Sequence, residues 1–266
     1  MLKARAIPCL LLKGAGLVKT VRFGNPTYVG DPINAVKLFN DLEVDELVLL
    51  DIAATREDLE PQFEHVGEIV SEAFMPICYG GGISQVSQAK RLFQLGVEKV
   101  AVTTAAAERP ALIDELVDAF GSQSVVVGID VKRKLLGRRR VHVRGGTRDT
   151  GREPLDFARE MVERGAGEIL INTIDRDGTR EGYDLPLIAE VSRAVGVPIV
   201  ACGGAGSLAD IRSAVDAGAS AAAAGSLFVF KGPHRAVLIN YPTQAELQAL
   251  FAPSAADSAP AADSKV

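Results

Sequence analysis

The sequence predicts a (β/α)8 barrel, and three observations carry the prediction. Apolar, β-rich runs alternate with amphipathic helical stretches from the first residues almost to the end, giving eight strand–helix units. The connections are short, and no linker divides the units into separate domains, which favours closure into a barrel over an open sheet. The second half also repeats the first. Pro76-Ile-Cys-Tyr-Gly-Gly-Gly-Ile-Ser84 is echoed by Pro198-Ile-Val-Ala-Cys-Gly-Gly-Ala-Gly-Ser207, and Asp45-Glu-Leu-Val-Leu-Leu-Asp51 by Gly167-Glu-Ile-Leu-Ile-Asn-Thr173, in the same order and at about the same spacing. A doubly wound sheet is the alternative, but its fingerprint is missing, since no GxGxxG follows the first strand.

Strands are expected near 4–12, 45–51, 76–79, 98–103, 123–131, 167–173, 198–202 and 220–224, where β-branched and apolar residues run between glycine or polar breaks. Helices fit near 31–42, 57–74, 84–95, 109–120, 153–165, 184–195, 207–217 and 234–250, the last interrupted by Pro242. Two insertions break the alternation, Lys13–Val29 after the first strand and Lys134–Gly151 after the fifth. Both follow strands, the side on which barrels of this kind carry their active-site loops. The barrel is expected to span 1–251. Residues 252–266, an Ala/Ser/Pro/Asp segment with too little bulk to pack, are expected to form a disordered tail.

Composition narrows the function classes. The net charge of −5 argues against a general nucleic-acid surface, and the basic run Lys132–Arg140 reads as a solvated hairpin. Three cysteines without CxxC spacing and three scattered histidines signal neither disulfides, a metal constellation nor a Ser-His-Asp arrangement, so no metal and no cofactor are expected. Ile7–Leu12 is too short for a signal core and is broken by Pro8 and Lys13, and no apolar run approaches the length of a membrane span. A cytoplasmic location is the expectation.

The repeated glycine clusters point to anions. Glycine leaves backbone N–H groups accessible, and a helix opening after such a turn adds its partial positive charge, so two clusters in register suit a ligand with a phosphate at each end. At the strand C-terminal ends, Asp51, Thr103, Thr104, Asp130, Thr173 and Asp177 face one rim. Asp130 closes the apolar run Val-Val-Val-Gly-Ile-Asp130 and is the candidate general acid or base.

Across nearly the whole chain except the tail, the sequence resembles the cyclase subunit of imidazole glycerol phosphate synthase, a (β/α)8 barrel of histidine biosynthesis. The motifs that carry the resemblance are Arg5-Ala-Ile-Pro-Cys9, Asp45–Ile52, Gly80-Gly-Gly-Ile83, Phe120-Gly-Ser-Gln123, Gly165–Leu170, Ile174-Asp-Arg-Asp-Gly-Thr179 and Gly203-Gly-Ala-Gly206. The resemblance implies one phosphate site at Gly82 and Thr104 and another at Asp177, Gly178, Gly204, Gly225 and Ser226. It also implies a glutaminase partner in a heterodimer, docked on the N-terminal face, and an ammonia gate that Arg5, Glu46, Lys99 and Glu168 match in type and position. Lys19, on the family's mobile first loop, matches as well.

The resemblance breaks at the chemistry. The family's cyclase uses two aspartates as acid and base; the second matches Asp130, but the first falls at Leu11, which cannot transfer a proton. Thr103 and Cys202 replace a family asparagine and serine. The segments Leu10–Phe23, Gly30–Val36 and Lys231–Pro242 are similar to paralogues associated with glycosyl amidation in surface-polysaccharide synthesis. The expectation is a barrel that delivers glutaminase-derived ammonia to a sugar amidotransferase. Two other readings stay open: a working cyclase-lyase in which Asp51 or Asp177 assists Asp130, and a non-catalytic activator of the glutaminase that only binds a phosphorylated ligand.

Overall fold

A computed structural model describes residues 4–134, 137–232 and 234–252. Eight parallel strands close on themselves: β1 Arg5–Lys13, β2 Leu47–Asp51, β3 Ile77–Gly80, β4 Lys99–Val102, β5 Val125–Arg133, β6 Glu168–Thr173, β7 Ile199–Cys202 and β8 Ala221–Ala224. Each pairs with the next, and β8 returns to β1 with Arg5 opposite Ala221 and Pro8 opposite Ala224. The predicted barrel is thus the observed one, with every strand within two residues of its expected bounds.

Between the strands run α1 Pro32–Asp41, α2 Phe63–Ser71, α3 Val86–Gln94, α4 Ala111–Phe120, α5 Pro154–Glu163, α6 Leu185–Ala194 and α7 Leu208–Asp216, and α8 Gln244–Phe251 follows β8. Local chemistry sets their starts. Asp31 caps α1 by accepting from Asn34 N–H at 2.8 Å ahead of Pro32, whose fixed φ suits a first helical turn. The period-2 alternation of each strand divides the core in two. On β5, Val125, Val127, Ile129 and Val131 pack outward against the helices, while Val126 faces the barrel axis with Ile7, Val48, Ala101, Leu170 and Val200.

Three expectations needed correction. Helix α2 begins at Phe63 rather than near 57, because Asp58 lies at φ 51° and Pro61 disfavours a helical residue before it. The helix expected at 234–250 exists only from Gln244; Ala236–Val237 instead pairs antiparallel with Phe230–Lys231, and Arg235 sits at φ 50°. The basic run is a hairpin but not a free solvated face. Arg133 and Arg139 both bind the buried Asp184 carboxylate at 2.9 Å, and Arg140 pairs with Glu153. The expected tail lies, beyond Ala252, outside the described residues.

Neither insertion is irregular. The first holds strands Gly16–Val21 and Gly24–Gly30, a hairpin added to β1 through Leu11↔Val18 and Leu12↔Leu17; the second holds Arg139–Val143 and Arg148–Asp149, added to β5 through Asp130↔His142. Both extend barrel strands upward over the C-terminal rim. Among the described residues, no helix is long and apolar enough to cross a membrane.

The outer layer carries much of the stability. Phe157 on α5 is fully buried, with the Arg152 guanidinium 4.5 Å from its ring centroid. Phe157→Ala is expected to remove about 3–5 kcal/mol, read as a lower denaturant midpoint at unchanged slope.

Candidate functional site

The barrel presents two polar ends separated by an apolar axis. At the N-terminal end Arg5, Glu46, Lys99 and Glu168 form a closed ring: Arg5 donates to Glu46 and, at 2.8 Å, to Glu168, and Lys99 donates to both carboxylates at 2.9 Å. Glu46 and Glu168 are buried, and the two cations are partly so. Burial works against the Lys99 ammonium, but Glu168 and Glu46 outweigh it and hold its pKa above the ordinary value. All four predicted gate residues therefore meet. Above them Cys78, Ala101, Val126 and Leu170 line the axis, and burial followed by the Glu46 and Glu168 charges pushes the Cys78 thiol upward.

At the C-terminal end a cavity of about 340 Å³ opens. Leu11, Lys19, Asp130 and Asp177 line its deep part, with Gly178, Gly204, Gly225 and Ser226 on one side and Gly82 and Thr104 on the other. The expected acid–base, phosphate and first-loop residues thus all border one cavity. Asp51 and Thr103 also line it. Thr173 does not, because strand alternation turns it outward.

The same alternation turns Asn172 inward, a residue the sequence reading passed over. Glu168, assigned to the axis, is four positions earlier on β6, so parity alone marks Leu170 and Asn172 as interior. Asn172 sits opposite Asp130 in the β5–β6 ladder, and its Oδ1 is buried without a partner. Burial, then the Asp177 charge, raises the Asp130 pKa to about 7, with the Asn172 amide opposing. Asp177 is likewise raised by burial against the pull of Lys19 and hydrogen bonds from Thr20 and the Phe23 N–H. Asp51, raised by burial, spends Oδ1 on the N–H groups of Ala53 and Ala54 at 2.9 and 3.0 Å, which is loop anchoring.

Lys19 belongs to the first hairpin and is buried. Its Nζ lies 3.5 Å from the Cys9 carbonyl oxygen and beside Gly225, where a methyl group would collide with it. The hairpin is fastened down by Thr20 Oγ1 donating to Asp177 at 2.9 Å and Arg22 N–H to the Asp177 carbonyl at 2.8 Å.

The helices that open after the glycine clusters are not free anion sites, contrary to expectation. Gln88 Oε1 accepts from Ser84 N–H at 2.8 Å and Gln85 N–H at 3.1 Å; Asp210 Oδ2 accepts from Gly206 N–H and Ser207 N–H at 2.9 Å. Each helix closes its own N-terminus. Two short helices missed in the sequence, Thr104–Glu108 and Ser226–Val229, follow β4 and β8 and have no side-chain cap. They sit beside the glycine turns, so each half-barrel offers one glycine turn and one uncapped short helix to the cavity.

The sequence comparisons agree with this architecture. The family model described as "Histidine biosynthesis protein" matches residues 5–234. The chain is 54% identical over 247 residues to a provisionally named imidazole glycerol phosphate synthase subunit hisF2 of Pseudomonas aeruginosa, an alignment covering 91% of this chain and 97% of the relative. It is 48% identical over 253 residues to a similarly named HisF subunit of Leptospira borgpetersenii, covering 94% and 100%, and 44% identical over 229 residues to the imidazole glycerol phosphate synthase subunit HisF of Streptococcus sanguinis, covering 86% and 91%. Since the matched segment holds all eight barrel strands, the chain belongs to the histidine biosynthesis protein family, among relatives of the HisF subunits of imidazole glycerol phosphate synthase.

Proposed function

We propose that this chain is an ammonia-conducting barrel: it accepts ammonia from a glutaminase docked over the Arg5–Glu46–Lys99–Glu168 ring and passes it along the axis to the C-terminal cavity. The cavity holds a phosphorylated ligand, and the ammonia serves amidation of a sugar by a separate amidotransferase rather than imidazole formation. The observation that carries the reading is Leu11, an apolar side chain in the cavity wall where the resemblance puts the first of the family cyclase's two acid–base groups, on a barrel whose four-residue ring is complete. A ring that served stability alone would be a weak choice, because removing four charges from water costs more than well-packed apolar residues would.

The balanced charge of the ring suggests the test. Lys99→Met together with Glu168→Leu removes one charge of each sign and leaves Arg5 paired with Glu46, so the fold should persist while bulky apolar groups fill the opening. In the complex with glutaminase and acceptor enzyme, amidated product per glutamine consumed is expected to fall severalfold, with glutamine turnover preserved. Unchanged coupling would favour a barrel that only activates its partner.

A second reading has one observation in its favour. Asp177 shares the cavity with Asp130 and contributes to its raised pKa, so the two could divide the proton transfers of a cyclase-lyase. Turnover of the unaltered protein on the family's phosphorylated ribulosyl aminoimidazole carboxamide substrate with ammonium would support it.

A further inference from the structure

Seven large apolar side chains are exposed among the described residues, and five of them follow three consecutive barrel strands. Val21 and Tyr28 stand on the hairpin after β1, Leu59 follows β2, and Val237 and Leu238 belong to the segment after β8; only Leu38 on α1 and Phe74 ahead of β3 lie elsewhere. Strands β8, β1 and β2 are neighbours around the barrel, so the five share one sector of the C-terminal rim. Leu238 N–H donates to the Val229 carbonyl at 2.9 Å, which keeps its segment level with the short helix above β8. The sector borders the cavity, since Leu59 and Phe23, which lies between Val21 and Tyr28, line its wall. Tyr28 is the most exposed of the five, at 66%, yet its ring is held in place: it lies so close over Gly16 that a Cβ there would stand 2.7 Å from it. Its strand, Gly24–Gly30, pairs only with Gly16–Val21 among the described residues, which leaves the outer edge open.

Charge sets the two hairpins of this sector apart. From Lys13 to Gly30 and from Phe230 to Pro242 the chain has no acidic residue, although its net charge is −5. Lys13, Arg22, Lys231 and Arg235 are exposed there and form no ion pair among the described residues. A fixed aromatic ring with apolar neighbours inside a cationic margin has the make-up of a protein-docking surface, and its complement is an apolar centre with an acidic margin. The ammonia path decides what covers it. Ammonia released into neutral water is protonated and stops being a nucleophile, so a barrel that delivers it needs its consumer seated at the mouth. An anionic lipid surface would answer the cations but could not consume ammonia.

We propose that this rim sector, centred on Tyr28 and Val237 and edged by Lys13, Arg22, Lys231 and Arg235, is the docking surface for the ammonia-consuming enzyme, which meets it with an apolar centre and an acidic margin. The inference rests on the reading of the barrel as an ammonia conductor and names where the acceptor enzyme sits.

The test is binding of the purified sugar amidotransferase to the immobilised complex of this chain with its glutaminase, measured by interferometry alongside amidated product per glutamine consumed. The unaltered complex is expected to bind the enzyme, and less tightly as salt is raised. Tyr28→Ser with Val237→Ser should weaken binding at least about tenfold and lower the coupled product, at an unchanged denaturant midpoint because both positions are exposed. Lys231→Glu with Arg235→Glu should slow association and flatten its salt dependence. Leu38→Ser, exposed on the outer wall, should change neither binding nor coupling. Full binding and coupling in both double variants, an equal loss in Leu38→Ser, or amidated product formed without binding would overturn the docking surface while leaving ammonia delivery in place. Cosedimentation with phosphatidylglycerol vesicles that the double variants lose, with enzyme binding unchanged, would assign the sector to a lipid surface and overturn the proposal. Neither binding nor amidated product from the unaltered complex would remove the ammonia reading itself, and the inference with it.

Discussion

Leu11→Asp is expected to switch on imidazole glycerol phosphate formation in a protein that, unaltered, is silent with ammonium and the family's substrate. A missing general acid–base group typically costs about 10²–10⁴-fold in rate, so at least two orders of magnitude should separate the variants. The position is suited to the experiment. Leu11 is only 8% exposed yet borders the cavity that Asp130 also lines, and it lies beside Val18 on the hairpin that carries Lys19. A carboxyl group there would share the cavity with Asp130, across β1 and β5. The substitution gives up the burial of one leucine, about 1.5–3 kcal/mol, and adds the desolvation of a carboxyl group that the cavity only partly hydrates, so a denaturant titration of the variant accompanies the assay.

The outcomes separate the readings. Activity already present without the change would show that Leu11 is tolerated and that Asp130 works with Asp177, and the ammonia-delivery proposal would be lost. Silence in both proteins, with the substrate still bound, would point to Thr103 and Cys202, which occupy two further cavity positions where the family's cyclase has different side chains. Activity only in the variant would mean that the wall retains the old substrate geometry and that one side chain decides whether ammonia is consumed here or passed on.

How much of this was legible in the residues depended on whether a feature was local. The eight strands were, because parallel strands buried on both faces read as continuous apolar runs closed by glycine or aspartate, and Val125–Asp130 is such a run. The helix start at Phe63 was not. The apolar spacing extends backward through Leu59, but the Asp51 carboxylate draws Ala53 and Ala54 into a turn, and this contact exists only in the folded chain. The first hairpin was seen merely as an insertion, since its alternation is short and Gly14-Ala15 alone marks its turn away from β1; the second was legible as a hairpin from its basic run but not as an extension of β5. In the site, the glycines pointed to the right loops but to the wrong helix starts. Gln88 and Asp210 had been available in the sequence as the third residue of a capping box, and such a residue occupies the N–H groups an anion would need. Asn172 was legible by parity from Glu168; its unpartnered oxygen was not, because it depends on how the amide turns in the folded barrel.

Asp130 should make this protein less stable as pH rises, the reverse of the usual contribution of a carboxylate. An unfolded aspartate releases its proton near 3.9, whereas the folded group holds it to about 7 because burial and Asp177 oppose ionisation. Between those values the folded state binds a proton that the unfolded chain has lost, so the contribution is fully present below pH 3.9 and is withdrawn as pH climbs to 7. At about 1.4 kcal/mol per pH unit, the total approaches 4 kcal/mol, of which about 3 falls between pH 5 and pH 8. Asp130→Asn keeps the shape but has no charge to bury. Denaturant titrations of both proteins at pH 5 and pH 8 should show the variant gaining on the unaltered protein by about 3 kcal/mol across that interval. Parallel pH dependences would mean that Asp130 ionises freely in the fold. Asp130 would then be a carboxylate at neutral pH, and neither ammonia leaving the axis nor a cyclase step could take a proton from it.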